Sequence, residues 1–560
     1  MRDRPPYDTD AAAERLTEAP PAQSEPDADP IGPDRSGDRP AASRMRRAWA
    51  ALAWTVGGAG LFVLFLRIAR SKGVNSDAAN NALQAWDLLH GHLLLHGWII
   101  GDATYYTFEL PLIALIEIFF GTHTVTMNVT EALVYLIVAA WSVAIAVTGS
   151  RGPARVARAA VVVAVLAAPA LIGSDMWIPL GIPDHTGTTV FLLIPCLLVD
   201  RLPNRWFTAP LICVILCAGQ IGDVTVRYVA VPAIVAVCAY QVLASRKLRS
   251  HDAANLLGAA ASFPLSLWVR SLMLHFGGYL MVSPKTRLAP ESLWGHNAAL
   301  AWGAIRMLYG AQPGPGAASA GTIVIFGYAC LLIAVIGILR VLCRWRGARP
   351  GERVLVVAIA ANMTVYILST LPAVNSPHDI VAVLPSGAVL GARALVPDRI
   401  ATRVMSLAAA GFAMVAALLP LSVTAEQSFH ATPVAPLAAW LQAHGLTYGL
   451  GDYWDSSSVT LATGSQVQVR TVEVVTVPGA SAPQVSFYAW ETNTLWFDPA
   501  RHYANFVIVD LNSPDHVGTP VAHLFGKPDT TYIVDGEWQV LVYSKNLLTD
   551  VLPAPLPPTS

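Results

Sequence analysis

Long apolar runs separated by short polar loops fill the chain from residue 48 to residue 424. Apolar runs of about 20 residues cross a bilayer as helices. The pattern predicts a first span over 48–68. Further spans follow over 129–148, 159–174, 186–200, 206–221, 228–245, 254–275, 320–343, 353–371, 380–396 and 403–424. This is a polytopic α-helical membrane protein with about eleven transmembrane helices. Several runs are short for a perpendicular helix, 186–200 most of all.

The stretch 70–128, between the first two spans, has a different rhythm. Asp77 stands where the chain leaves the first span, in Asn75-Ser76-Asp77-Ala78-Ala79-Asn80-Asn81. Over 79–96, Leu83, Trp86, Leu88 and Leu89 mix with Gln84, Asp87, His90 and His92. That mixture predicts a helix lying in the interface rather than crossing it. The run 108–121 is apolar but short and carries Glu109, Pro111 and Glu117. It is read as half-embedded.

The ends differ again. Residues 1–44 are polar and Pro-rich, with almost no large apolar side chain, and are expected to form a disordered cytoplasmic tail without a signal peptide. After residue 425 a helix opening near Thr432 and closing at Gly445 precedes strand-like runs at 446–453, 466–477, 506–511 and 538–543. These predict an extracytoplasmic α/β domain over 425–548, with a Pro-rich tail over 549–560.

Composition supports the membrane reading. Of the residues 54% are hydrophobic and only 13% charged, with mean hydropathy +0.49, where a soluble chain carries roughly 25% charged residues. The net charge of −1 says nothing about nucleic acid, and with no basic arm or aromatic-basic motif no nucleic-acid partner is expected. The six cysteines fall in or beside apolar spans and read as packing residues rather than disulfides or metal ligands. Abundant Ala, Val and Arg with little Lys fit a bacterial chain, and hence the bacterial plasma membrane.

Charge sets the expected orientation. With 108–121 not spanning, the cytoplasmic loops hold Arg151, Arg155 and Arg158; Arg201 and Arg205; Arg246, Lys247 and Arg249; Arg344, Arg346, Arg349 and Arg353; and Arg399 and Arg403. All are basic, as the positive-inside rule requires. The N-terminus is then cytoplasmic. Asp77, Asp102, Glu109, Asp175, Asp184, Asp223 and Asp379 fall outside, as does a long loop over 276–319.

The candidate chemistry gathers on that outer face. Asp77 has two open readings: a functional carboxylate at the membrane edge, or an N-cap for a helix starting at Ala78. Asp184-His185, Asp223 with Arg227, and His378-Asp379 occupy short outer loops and offer carboxylates for a base and cations for a phosphate. Each alone is more often a helix cap or a surface ion pair; their coincidence on one face favours a site. In the C-terminal domain, Tyr453, Trp454, Trp490 and Trp496 fit either core packing or stacking on sugar rings. No Walker A, GxGxxG, HExxH, CxxC or GxSxG motif occurs.

The order of span, outer Asp77, surface helix with Gly91 and Gly97, Tyr105-Tyr106…Glu109-Leu110-Pro111 and a half-embedded helix ending at Gly121 resembles the GT-C superfamily of membrane glycosyltransferases. The likeness covers 48–424 as architecture and is specific within 70–121. It implies a transferase that moves a sugar from a polyprenyl-phosphate donor to a glycan, lipid or protein acceptor. Asp77 would be the general base of an inverting displacement. Arg227 and His378, then Arg287 and Lys285, would hold the donor phosphate, with Asp102, Asp184, His185 and Asp223 orienting substrates. Many members carry paired acids in this loop. Here Ala78 and Ala79 follow Asp77, so no metal ligand is assigned, although a divalent metal stays possible for the class. A transporter or lipid-linked-sugar flippase is the alternative from another class; it predicts internal repeats and helices broken at mid-membrane. An inactive glycan-binding scaffold is a third.

Overall fold

The structure is a computed structural model. It describes residues 39–554 apart from 173–175, 182–184, 247–249, 283–285, 313–319, 373–375, 397–407, 409–410, 416–431, 477–481 and 513–517. Asp184, Lys285 and most of the 403–424 span therefore lie outside the described residues, as do most of the two terminal tails. The chain divides into two compact units, Met1–Gly57 and Gly58–Ser560. The described part of the first is the start of helix Arg39–Arg70, which exposes Trp49 and Trp54. All that follows concerns the second.

This is a multi-pass membrane protein. Among the described residues, six helices are long and apolar enough to cross a bilayer: Ala51–Arg70, Thr124–Ala146, Thr225–Ser245, His251–His275, Val324–Cys343 and Pro350–Leu368. Each overlaps a predicted span. The predicted spans at 159–174, 186–200, 206–221 and 380–396 are also helical, but their α-helices Pro153–Leu166, Val190–Arg201, Thr208–Gly222 and Val383–Leu395 are shorter. Small residues let neighbouring helices close up. A Cβ on Gly337 would meet the Leu390 carbonyl carbon at 2.4 Å, and one on Gly391 would meet Ile333 at 2.5 Å.

The helices differ at their two ends. Arg201 and Arg349 converge on Thr148 (2.8 Å each), and Arg393 pairs with buried Asp200 at 3.0 Å. These groups sit at the C-terminus of Val190–Arg201 and the N-terminus of Pro350–Leu368. His185 and His378 lie beyond the opposite ends of the same helices. The Pro350–Leu368 helix separates the two levels by about 28 Å at 1.5 Å per residue.

The first loop departs from its expected form. Its helix is Ser76–Leu89 rather than 79–96, and the chain turns at Gly91 (φ +89°) into strand Trp98–Ile100. One face of the helix is packed against protein, while Trp86 and Leu89 stay exposed. Ala78, Ala79, Ala82 and Ala85 are fully buried, packed with helix Glu109–Phe120 and with Leu461 of the C-terminal domain. Small alanine side chains let the two helices approach closely. The expected loop over 276–319 also contains structure: strand Leu280–Met281 and helix Glu291–Leu308.

The C-terminal region is the expected mixed α/β domain. Its seven-stranded sheet runs in the order Val551–Leu552, Gln484–Phe487, Gln468–Val475, Tyr448–Gly451, Phe506–Asp510, Trp538–Val542, Thr530–Val534. The strand at Val551–Leu552 lies inside the segment expected as a tail. A three-stranded sheet joins this domain to the helices: Trp98–Ile100 pairs with Leu280–Met281 in parallel and with Thr492–Asn493 in antiparallel. That sheet fixes the first loop, the 276–319 segment and the C-terminal domain in one register.

Candidate functional site

Asp77 lies in the first turn of helix Ser76–Leu89, but it is not the cap. Asn75 is; its Oδ1 accepts from the Ala78 amide at 3.1 Å. The cap reading of Asp77 is therefore corrected: the neighbouring Asn takes that role, and the Asp77 carboxylate faces elsewhere. Asn75 Nδ2 donates to Asp77 Oδ2 at 3.2 Å, and the Tyr453 hydroxyl donates to Asp77 Oδ1. Tyr453 opens helix Tyr453–Ala462 of the C-terminal domain. That helix is fastened to the first loop by Ser76 Oγ donating to the Trp454 carbonyl (2.6 Å) and Ser457 Oγ donating to Asn80 Oδ1 (2.6 Å). Burial, the Asp77 charge and the bond to it hold the Tyr453 phenol far above its ordinary pKa, so it stays a donor.

A second carboxylate enters from the same domain. Glu491 adopts φ +47° at the edge of strand Thr492–Asn493. Its oxygens accept from the Gly101 amide (2.7 Å) and Gln84 Nε2 (2.6 Å). Burial, the largest influence, raises it from 4.5 to about 8; Asp77 and Asp102 push the same way. The folded protein therefore keeps a proton that the unfolded chain releases above pH 4.5, so this contribution to stability is lost as pH rises towards 8. Glu491→Gln is expected to flatten that limb. Between pH 5 and 8 the apparent Tm of the parent should fall relative to the variant, as thermal scans over pH would read.

Asp102 links Asp77 to the remaining candidates. The loop around it is zipped to the Asp223 loop: Ala103 bridges Asp223, and the Tyr105 amide donates to the Gly222 carbonyl at 2.7 Å. Burial and then the Asp223 charge raise Asp102 to about 6. Asp223 itself is fully buried. Its Oδ2 takes His185 Nδ1 and the Thr188 hydroxyl, each at 2.5 Å, and its Oδ1 takes the Thr225 amide at 2.7 Å. Burial disfavours its charge, yet His185 and these hydrogen bonds hold its pKa below the ordinary value. His185 Nε2 lies 3.5 Å from Asp379 Oδ1, and the His185 and His378 rings stack at 5.8 Å.

The cations divide. Arg227 lies over the Phe263 ring at 5.1 Å, and its buried Nε has no hydrogen-bond partner among the described residues. Arg270, within helix His251–His275, interacts electrostatically with both Arg227 and Asp102. Sequence reading missed it because it lies inside an apolar span. Arg287 is exposed, and its backbone pairs with Thr370 (3.0 Å). The structure thus brings Asp77, Asp102, Asp223, His185 and His378 to one end of the helices with Arg227. Asp379, read from sequence beside His378, joins them, as do Tyr453, read only as a packing or stacking aromatic, and Glu491 and Arg270, which sequence did not single out. Glu491 gave no sequence signal; it sits about 400 residues beyond the loop it enters, and only the strand pairing places it there.

A cavity of about 350 Å3 is lined by Lys72, Asn75, Trp177, Trp454, Asp455 and Ser458. Trp454 is 61% exposed. Trp496, in contrast, is covered by Arg470 (3.8 Å) and Trp98 (4.9 Å), and Tyr453 packs on Tyr488 (5.5 Å).

No family model matches the chain, and no curated protein does. Two solved structures do. ArnT from Cupriavidus metallidurans in the apo state aligns with TM-score 0.53 and 12% identity over 90% of this chain and 100% of its own. The chain has the ArnT fold. ArnT from the same organism bound to undecaprenyl phosphate aligns at TM-score 0.51 and 14% identity, over 88% and 98% of the two chains. The ArnT fold takes in both the helices and the C-terminal sheet region. The architecture implied by the GT-C resemblance is present.

Proposed function

We propose that this protein is a membrane glycosyltransferase that moves a sugar from a polyprenyl-phosphate donor to an acceptor hydroxyl. The observation that carries the reading is Asp77, a first-loop carboxylate held by Tyr453 and by Asn75, which itself lines a cavity of about 350 Å3, on an ArnT fold. ArnT's capture of undecaprenyl phosphate supports the same donor class here. In the proposed step the acceptor oxygen attacks the anomeric carbon and its proton passes to Asp77. The bond from that carbon to the phosphate oxygen breaks, and the phosphate leaves with the electron pair. One base and one displacement give inversion. Arg227 and Arg270 hold the charge that develops on the phosphate, with His378 behind them. By the segregation of bases and acids along the helices, the site faces the outside of a bacterial plasma membrane.

The 350 Å3 cavity is the proposed acceptor pocket, with Trp454 as its stacking face. Trp454→Ala is expected to raise the acceptor KM about tenfold, equal to about 1.4 kcal/mol, with kcat little changed. The test of the function is a comparison of glycolipids and wall glycans in a deletion strain of the source organism complemented with parent or Asp77→Asn. The expected outcome is one missing sugar in the deletion, restored by the parent only. Restoration by Asp77→Asn would remove Asp77 as the base. An unchanged glycan profile with altered lipid-linked-sugar sidedness would favour the flippase.

A further inference from the structure

The cavity of about 350 Å3 is walled by four separate parts of the chain: the turn after the first span, helix Trp177–Leu180, the turn at 432–434, and helix Tyr453–Ala462 of the C-terminal domain. Two of these walls touch groups of the candidate site. Asn75 Nδ2 donates to Asp77 Oδ2 at 3.2 Å, and the Trp177 ring meets the His378 ring edge-on at 6.2 Å. The volume is at the small end of the roughly 300–1,000 Å3 of ligand pockets. It suits a ligand of one or two rings better than an extended chain.

The lining is mixed. Lys72, Asn75, Thr432, Asp455 and Ser458 bring a cation, an amide, two hydroxyls and a carboxyl. The Ser458 hydroxyl donates to the Trp454 carbonyl at 3.0 Å and keeps its oxygen as an acceptor. Asp455 Oδ2 accepts from Trp538 Nε1 at 3.1 Å, one of the roughly four bonds a carboxylate can accept. Burial, then the charges of Asp452 and Asp510, raise Asp455 to about 7, so near neutral pH this carboxyl both donates and accepts. Trp177 and Trp454 supply flat apolar surface, and Trp454 is 61% exposed. The aliphatic part is small: Val74, Pro433 and Val434.

This set separates the possible acceptor classes. A lipid chain would cover the polar side chains without bonding any of them, which strands their donors and acceptors. A polypeptide is held by strand addition or in a long apolar groove, and none of the lining residues lies in a strand. A saccharide has apolar C–H faces and a rim of hydroxyls that donate and accept. It is the complement of two indoles within a mixed polar lining. Lys72 and Asp455 have opposite polarity, so neither an acidic nor a basic sugar is favoured over a neutral one.

We propose that this cavity takes the terminal one or two rings of an uncharged saccharide, so that the acceptor is a glycan rather than a lipid or a polypeptide. Trp454 and Trp177 cover the ring faces, while Asp455 and Ser458 bind hydroxyls and set which sugar is accepted. That this saccharide is an acceptor rests on the transferase reading; that the cavity binds a saccharide does not.

The test measures binding to the full chain in nanodiscs with no donor present. The probes are mono- and disaccharides of glucose, galactose, mannose, arabinose and N-acetylglucosamine, with neutral oligosaccharides released from the envelope of the source organism. Saturation-transfer NMR and competition read the binding. At least one series should bind, its disaccharide about tenfold more tightly than its monosaccharide. Trp454→Ala and Asp455→Asn should each weaken binding about tenfold; the second keeps an oxygen for Trp538 and so keeps the fold. Tyr532→Ala, which removes an exposed ring from a separate cluster with Trp440, should bind as the parent does. No binding of any probe, or equal affinity in the parent, Trp454→Ala and Asp455→Asn, would overturn the saccharide pocket. Sugar transfer to a lipid or a polypeptide with no saccharide bound would overturn it while leaving the transferase standing. Saccharide binding without sugar transfer would uphold the pocket and remove the transferase reading.

Discussion

Asp77→Asn is expected to lower sugar transfer by about 10³-fold, some 4 kcal/mol on the barrier, without unfolding the protein. The size follows from the role. An acceptor hydroxyl is a poor nucleophile, and a positioned base typically contributes 10²- to 10⁴-fold. The fold should survive because Asn is isosteric and keeps an oxygen for the Tyr453 hydroxyl, while the helix start is capped by Asn75. Tyr453→Phe supplies the complementary result. Removing a donor from a carboxylate destabilises its charged form, so the acid limb of the rate profile should move to higher pH while the base itself remains. A merely structural Tyr453 would lower activity without moving that limb. Circular dichroism and gel filtration of both variants separate loss of chemistry from loss of fold.

The second large effect is expected at Arg227 and Arg270. Two like charges close together beside a membrane helix repel, and Arg227 Nε lacks a partner among the described residues. An anion placed between them would relieve both conditions. Removing one cation from such a clamp typically costs 10²- to 10³-fold in kcat. Arg227→Ala and Arg270→Ala should each fall in this range, and the double variant should fall by less than the product, because both act on one phosphate. Arg227→Lys should recover part of the loss, since it keeps charge but not the planar fork. Single-turnover rates with a saturating donor distinguish this from weaker donor binding. If only KM for the donor rises, the arginines bind the ground state and do not act on the leaving group.

Much of the fold was legible because bilayer physics writes long, simple patterns. Apolar runs located the helices, and basic loops marked one end of them; Arg201, Arg349 and Arg393 do gather there. Strands Gln468–Val475 and Phe506–Asp510 were legible because buried β-branched runs have little else to form. What failed has a common cause: packing between distant parts. The Ala face of Ser76–Leu89 gave no sign of its partner, helix Tyr453–Ala462, because that helix is more than 350 residues away. Helix Glu291–Leu308 lies hidden in the expected loop, its apolar pattern interrupted by His296, Trp302 and Arg306. The short loops carrying His185, Asp223 and His378 stood out by residue type. Arg270 and Glu491 did not, since an arginine within a span and a glutamate in a surface-like segment take their meaning only from neighbours that the sequence does not order.

The central claim is transfer from a polyprenyl-phosphate sugar with Asp77 as base. Its most direct test is the release of polyprenyl phosphate from such donors in proteoliposomes holding the purified protein, with an acceptor extract from the source organism. Acceptor-dependent release by the parent, reduced about 10³-fold in Asp77→Asn, is the predicted result. Equal release by the two proteins, or none by either with donors of any sugar, would contradict it.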